Sequence, residues 1–546
     1  MTPARFRYGA AALSALLLAG AFPPVAFRAL AWVALIPWFA VLLRDRGEGH
    51  RGPAMLFGIV HFTAGLWWLA KLHELFPFAV ASILVLYPLL FAVLFRRIAV
   101  GFPRAAALLL PPLWVGVDFA REHLLSGFPW LLPGHALVES DRLRQAADLG
   151  GVHLLTFLLV LANTAGAALV AHRYRREGEA TAPFLARGGL VAAAAALATA
   201  LSIYGGARRD GIHETPGPRV ILVQPAFPQG IKAEARGNLP KAEEMRNRQV
   251  ALSWEGVRDH PEADLVIWAE TMVPGDLREK APGRDALDGN TKRILLGIVD
   301  PIGIVRGSRK RFLGGCIFFG EDRKKRNSAV LVGPEGVIEG RFDKEHLTPF
   351  GEYLPLVGWL PAGMRDGLHA RLRRVLPLPA DLSPGESKPI PAPAGPSSTV
   401  KLGGLICYEV IFSAPARDRV REGAEVLVNL SNYAWYGAGN HDQVLDITRF
   451  RAVECRRPVV VATNDGPTAV VDGNGSVRKR LPSGAPGVLY DEVPRDGRKS
   501  LYVATGDLFA ALCAVVAALA AAVGFRTGRG RSGGTSVEAP DSRENN

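Results

Sequence analysis

The chain has 546 residues, enough for more than one folded unit, and 49% of them are hydrophobic, gathered mostly in 1–205 and 502–524. A net charge of +13 comes without an aromatic-interleaved basic patch or zinc spacing, so it speaks against a nucleic-acid partner, and much of the arginine lies just beyond apolar segments. Four cysteines (Cys316, Cys407, Cys455 and Cys513) form no CxxC pair and no metal spacing, which argues against a disulfide framework and leaves open a single Cys316–Cys455 bridge.

A membrane-spanning helix needs about 20 mostly apolar residues. Eight segments qualify, near 7–22, 25–43, 54–70, 78–95, 105–120, 152–171, 186–204 and 502–524. The first has the look of a signal peptide, with Arg5 and Arg7 ahead of an apolar stretch and "AGA" after it. However, "FPPVAFRALAWVALIPWFAVLL" follows at once, and a proline turn between two spans fits a helical hairpin better than a cleavage site. Lysine and arginine in short loops set orientation. With the N-terminus inside, the inner loops hold Arg44, Arg46 and Arg51, then Arg96, Arg97 and Arg104, then Arg173, Arg175 and Arg176. The outer loops hold Lys71, Arg121, Arg142 and Arg144, and the tail adds Arg526, Arg529 and Arg531 inside. This predicts a bundle over 1–209, an outside domain over 210–498, a last span over 499–525 and a disordered cytoplasmic tail over 526–546. His61, Trp67, Trp68, Lys71 and His73 cluster at one outer boundary, and "SGFPWLLPGHAL" (126–137) lies outside between spans five and six. Both fit an interfacial aromatic belt, or else a lining for lipid headgroups beside an active site.

From 219 onward the pattern changes to short β-branched runs. "RVILVQPAF", "ADLVIWAE", "KRILLGIVD", "NSAVLVGPEG", "VKLGGLICYE", "AEVLVNLSN", "RPVVVATND" and "PTAVVDGNG" predict strands, several apolar throughout as in sheets covered on both faces. Helices are expected over 240–258 and 440–456, and "GPEG" and "DGNG" read as hairpin turns. Strands interleaved with helices define a layered α/β domain. Reactive groups in such domains gather at the C-terminal ends of strands. One strand delivers Glu270, another Cys407, and "VIEGRFDKEHLTPFGEYLP" delivers Lys344 and then Glu352. Taken singly, each has an ordinary alternative as a surface charge or a core cysteine; their joint appearance is the signal.

That combination resembles the nitrilase superfamily, whose members carry a Glu–Lys–Cys triad on an α-β-β-α sandwich. With eight spans around it, the chain is similar to the apolipoprotein N-acyltransferase family over about residues 10–525. The stretches that carry the resemblance are "GFPW" (127–130), "VQPAFPQGIK" (223–232), "KEHLTPFGEYLP" (344–355), "ICYE" (406–409), "NLSNYAWYG" (429–437) and "RAVECRRPVVVATNDGPTAVV" (451–471). The resemblance implies Glu270 as base, Lys344 as its lysine and Cys407 as nucleophile, supported by Glu352, Tyr408 and Glu409. Trp435, Trp130 and Trp359 are the implied substrate contacts. Ala233, Tyr433 and Ala269 depart from residues common in the family, which bears on substrate contacts and leaves the triad intact.

The chemistry implied is ping-pong acyl transfer through a Cys407 thioester, from a phospholipid donor to the N-terminal amine of a diacylglyceryl-cysteine on an apolipoprotein. The expected setting is a monomer in the bacterial inner membrane, with both termini cytoplasmic and the catalytic domain in the periplasm. No cofactor and no metal is called for, and no P-loop or strand-bound GxGxxG occurs. Two apolar insertions, 353–378 and 433–440, are candidate membrane-facing mouths, the first a mobile lid or an ordinary amphipathic helix. Two alternatives stay open: a membrane-tethered amidase hydrolysing a soluble C–N substrate with the same triad, and a non-enzymatic membrane scaffold or transporter.

Overall fold

A computed structural model describes residues 2–173, 184–211, 213–234, 238–273, 276–278, 301–353, 363–364, 367, 371 and 382–532. The predicted strand "KRILLGIVD", Trp359 and nearly all of the 353–378 insertion lie outside these residues, as do 533–546 of the predicted tail. The N-terminal half forms helices α1 (Ala4–Gly20), α2 (Ile36–Arg44), α3 (Arg51–Gly65), α4 (Phe76–Leu84), α5 (Leu86–Gly101), α6 (Leu110–His123), α7 (Ala147–Arg173) and α8 (Phe184–Asp210). The last helix is Leu508–Ser532.

A helix stands at each of the eight predicted places. Among the described residues, four stretches are long and apolar enough to cross a membrane: Phe76–Gly101, Leu143–Ala171, Gly188–Asp210 and Leu508–Thr527. The other four are shorter or broken. The 25–43 segment splits into a 3-10 turn, Arg28–Trp32, and α2, while α3 stops at Gly65 before a second such turn, Trp67–Lys71. A broken helix frees backbone groups that must find partners in an apolar setting. Asn163 of α7 supplies them, accepting from the Leu35 N–H and donating to the Ala31 carbonyl, both at 2.8 Å. The last helix packs against α5 and α6 through small residues. A Cβ on Gly101 would stand 2.7 Å from the Gly524 Cα, and one on Gly116 would stand 2.8 Å from the Ala514 Cα.

The 210–498 block contains strands β1 (Glu214–Thr215), β2 (Arg219–Gln224), β3 (Leu265–Trp268), β4 (Asp276–Arg278), β5 (Arg311–Phe319), β6 (Lys325–Val332) and β7 (Ile338–Asp343). It continues with β8 (Ile390–Pro393), β9 (Thr399–Ile406), β10 (Val426–Ser431), β11 (Val459–Thr463), β12 (Ala469–Val471), β13 (Val477–Arg480), β14 (Gly487–Glu492) and β15 (Arg495–Asp496). One sheet runs β14-β2-β3-β5-β6-β7, with β4 on β5; a second runs β13-β12-β11-β10-β9-β8; β1 and β15 pair separately. Within each, three central strands are parallel: β2, β3 and β5, and β9, β10 and β11. The turns at 333–336 and 472–475 close the β6–β7 and β12–β13 hairpins as their glycines predict.

Side chains alternate along each strand, so each sheet feeds two cores. Leu222, Ile267 and Leu331 meet Leu402, Val428 and Val460 between the sheets. Val223, Val266 and Trp268 face Met245 and Val257 of the Leu239–Asp259 helix. Leu405, Leu427 and Val461 face Val444 and Phe450 of the Ala438–Cys455 helix, in a cluster that continues into Trp38, Phe57, Phe91, Leu131 and Leu155 of the bundle. The order is helix, sheet, sheet, helix, and the outer helix layer of the second sheet shares its core with the membrane half. The open Cys316–Cys455 question is answered here: the two sit in different cores and no disulfide joins them.

Candidate active site

Three strand ends converge, two from one sheet and one from the other. After β3 the chain turns at Glu270, with Thr271 at φ +50°. This turn lies so close to β5 that a Cβ on Gly315 would stand 2.6 Å from the Glu270 Cα, so only glycine lets the strand pass. After β7 comes Lys344, whose N–H donates to the Asn327 carbonyl at 2.8 Å. After β9 comes Cys407 at φ +53°, opening a short 3-10 turn to Ile411. A non-glycine residue in that region is strained, and the strain turns the cysteine out of the strand direction at the sheet end.

The side chains meet. Lys344 Nζ lies 2.9 Å from Glu352 Oε2 and 3.8 Å from Glu270 Oε1, and it donates to Thr348 Oγ1 at 3.3 Å. The Cys407 thiol lies close enough to the Glu270 carboxylate and to Lys344 for both to act on its charge. Asn327 Nδ2 donates to both carboxylates, at 2.7 Å to Glu270 Oε1 and 2.8 Å to Glu352 Oε1. The Thr348 N–H adds a bond to Glu352 Oε2 at 2.8 Å. Lys344 is 1% exposed, Glu270 7% and Asn327 2%.

Two carboxylates and one ammonium leave a net negative charge around the sulfur. Burial and the Glu270 carboxylate push the Cys407 thiol well above its ordinary range, against the pull of Lys344. Burial alone would strip the charge from Lys344, but Glu352 and Glu270 outweigh it and lift the ammonium above its usual value. Burial would raise Glu352, yet Lys344 and the N–H donors hold it low. The resting site is thus a neutral thiol beside a hydrogen-bond acceptor and a fixed cation. A carboxylate so placed can take the thiol proton as the sulfur attacks, and the ammonium can face the developing oxyanion.

Glu409 ties the two halves of the cluster together. Its Oε1 accepts from the Glu345 and His346 N–H groups at 2.7 and 3.0 Å, and its Oε2 from the Ile406 N–H at 2.7 Å. The segment after Lys344 is therefore clamped to the segment before Cys407. Burial lifts this carboxyl to about 7 against those three donors. Tyr408 donates from its hydroxyl to the Gly127 carbonyl at 3.2 Å, and His346 Nε2 lies 3.0 Å from the Ser126 carbonyl. The "SGFPW" segment of the bundle is thus stitched to the cluster.

Of the predicted substrate contacts, Trp435 stands 37% exposed at the end of the Tyr433–Trp435 turn. Trp130 is buried instead, in the joint between the halves. Its indole N–H and that of Trp68 donate to Gln443 Oε1 at 2.6 and 3.1 Å, while Gln443 Nε2 donates to the Pro23 and Gly65 carbonyls at 2.8 and 3.0 Å. Tyr433 has a physical account: its hydroxyl accepts from Ser431 and Asn429 at 3.0 and 3.3 Å beneath the β10 end. Three residues escaped the sequence reading. Asn327 is the third residue of β6, between Arg326 and Ser328, Gln443 lies within the Ala438–Cys455 helix, and Tyr436 faces the cluster, its hydroxyl pushed up by burial and then by Cys407. Among the described residues no group of three or more His, Cys, Asp or Glu is arranged to hold a metal ion.

Two family patterns match the chain. That of the carbon–nitrogen hydrolases covers residues 219–502, which defines the sandwich as a carbon–nitrogen hydrolase domain. That of the apolipoprotein N-acyltransferase N-terminal domain covers residues 14–165. The apolipoprotein N-acyltransferase of Geobacter metallireducens is 32% identical over 536 residues, 95% of each chain, and that of Shewanella oneidensis is 30% identical over 80% of each. The chain belongs to the apolipoprotein N-acyltransferase family. Among solved structures, Nit3 of Saccharomyces cerevisiae, a nitrilase-superfamily member, aligns over 54% of this chain and 94% of its own, at 17% identity and a TM-score of 0.35.

Proposed function

We propose that the chain transfers a fatty acyl group from a phospholipid to the N-terminal amine of the S-diacylglyceryl-cysteine of a lipoprotein. The observation that carries this is the convergence of Cys407, Glu270 and Lys344 at three strand ends, with Lys344 Nζ 3.8 Å from Glu270 Oε1. Relatives that share both halves of the chain favour acyl transfer over the amidase alternative.

In the first half-reaction, Glu270 takes the Cys407 proton as the sulfur attacks the ester carbonyl carbon. Lys344 and the Tyr408 N–H face the tetrahedral oxyanion. Collapse breaks the ester C–O bond, the lysophospholipid oxygen leaves with the proton from Glu270, and a thioester remains. In the second, Glu270 takes a proton from the acceptor amine as its nitrogen attacks the thioester. The C–S bond breaks, the thiol regains the proton, and an amide is formed. Glu352 keeps Lys344 charged and placed throughout.

The remaining shorter helices complete eight spans, with both termini cytoplasmic and the sandwich on the periplasmic side of the inner membrane. Basic residues in the alternate loops support this orientation. The test is to incubate purified protein with acyl-labelled phospholipid. Label is expected on the wild type as a thioester released by hydroxylamine, and absent from Cys407→Ala. No label, with hydrolysis of a simple amide in its place, would turn the reading to the amidase.

A further inference from the structure

The joint between bundle and sandwich holds a charged group that the mechanism does not use. Arg121, in the last turn of α6, is buried at 3% exposure. Its Nη2 donates to Asp118 Oδ1 at 2.9 Å, one turn back on the same helix. Its Nη1 donates to the Phe128 and Trp130 carbonyls at 3.2 and 2.5 Å. The Arg121 carbonyl accepts from the Phe128 N–H at 2.8 Å. A planar fork of fixed donors holds a carboxylate and two carbonyls at once, which the compact ammonium of a lysine cannot match.

The turn held in this way is strained. Leu125, Ser126, Gly127 and Leu131 lie at φ +54°, +72°, +76° and +56°, and three of these four are not glycine. Such a backbone persists only where its surroundings over-determine it. The same turn presents two carbonyls to the catalytic cluster. That of Ser126 accepts from His346 Nε2, two residues past Lys344, and that of Gly127 accepts from the Tyr408 hydroxyl. Phe412 lies against both rings, with centroids 3.8 Å from His346 and 5.2 Å from Tyr408. The Lys344 ammonium and the Tyr408 N–H are the two groups that face the oxyanion, so the segment of each leans on one carbonyl of this turn. For Tyr408 the anchor has a further use, because Cys407 before it stands at φ +53°. Relaxing that strain would swing the next peptide plane, which carries the Tyr408 N–H, and the pinned phenol opposes the swing.

We propose that Arg121 is a positioning residue for the oxyanion. It keeps the 124–131 turn in its strained form, and through the Ser126 and Gly127 carbonyls the turn keeps Lys344 and the Tyr408 N–H aimed at the developing charge. Arg121 itself touches no substrate. This rests on the acyl-transfer reading, whose first half-reaction it serves.

The experiment follows Cys407 by mass spectrometry of the intact full-length protein, with p-nitrophenyl palmitate or its thiono analogue, in which sulfur replaces the carbonyl oxygen. The first leaves a thioester and the second a dithioester, and p-nitrophenol departs from both. In the analogue the charge develops on a larger, weaker acceptor, so an aligned oxyanion site favours the oxygen ester. In Arg121→Met the ratio of oxygen-ester to thiono-ester acylation falls about tenfold, less than the roughly 100-fold cost of deleting an oxyanion donor outright, and Arg121→Lys loses less. A role in packing alone would slow both esters alike, with a lowered melting temperature and an unmoved ratio, and that result overturns the proposal. Tyr408→Phe cuts the link at its other end and leaves the bundle untouched, and it lowers the same ratio. Arg121→Met added to Tyr408→Phe lowers the ratio by a smaller factor than in the wild type, since the two act along one path. Effects that multiply in full overturn the path, and so does an unmoved ratio in Tyr408→Phe should Arg121→Met fail to fold. A wild type acylated at Cys407 by neither ester removes the acyl-enzyme reading itself, and this proposal with it.

Discussion

Asn327 shows how much of this site depends on a side chain with no reactivity of its own. A carboxylate oxygen can only accept, so the amide nitrogen must face Glu270 and Glu352, and one group fixes both. Asn327→Leu keeps the branched shape and removes the donor. We expect acylation to fall about 100-fold, the cost of a misplaced reacting group. The acid limb of the pH–rate profile should move to higher pH. The sign follows from Glu352: the Asn327 N–H favours its charged form, so without it the carboxyl protonates at a higher pH and Lys344 loses its partner sooner. A profile unmoved in shape, with a lowered melting temperature, would assign Asn327 to packing alone. Glu409→Gln places an amide N–H against a backbone donor. The expected loss is about 1–3 kcal/mol of stability, read by thermal melting, with acylation reduced at least about tenfold as the Lys344 segment loosens. Glu270 and Cys407 stand out in the sequence because each ends an apolar strand run, and Lys344 because it follows a strand and opens the "KEHLTPFGEYLP" stretch. Asn327 does not, because its meaning lies in partners 57 and 25 residues away that no local pattern announces.

The Ala438–Cys455 helix is the element that joins chemistry to membrane. Its Gln443 makes four bonds into the bundle, to Trp68, Trp130, Pro23 and Gly65, and Asp446 pairs with Arg28. Gln443→Leu would strand two indole N–H groups in the interior. We expect the melting temperature to fall by roughly 5 °C or more, with faster proteolysis between the halves and no gain in amidase activity. The helix itself was foreseen within two residues of its ends, since its apolar spacing is local. Its role was not, since the Trp68 and Trp130 contacts are 375 and 313 residues away in the chain. The breaks at Arg28–Trp32 and Trp67–Lys71 were likewise hidden. Hydropathy counts apolar residues and does not register that Asn163 will satisfy a broken backbone.

The whole molecule is two sheets set on a helical bundle with a continuous core between them. Its orientation is tested by single cysteines. Glu321→Cys should react with a membrane-impermeant maleimide on intact spheroplasts, and Glu48→Cys only after permeabilisation; the reverse pattern would invert the protein. The close approach of Gly101 to Gly524 and of Gly116 to Ala514 has a consequence for synthesis. A ribosome delivers the Leu508–Ser532 helix only after α5, α6 and the whole sandwich have been made, so until then α5 and α6 hold a vacant furrow open to lipid. Nascent chains halted before residue 508 should therefore be recognisable to quality-control proteases, and bulky substitutions at Gly101 or Gly116 should leave the finished polypeptide in that same unclasped condition.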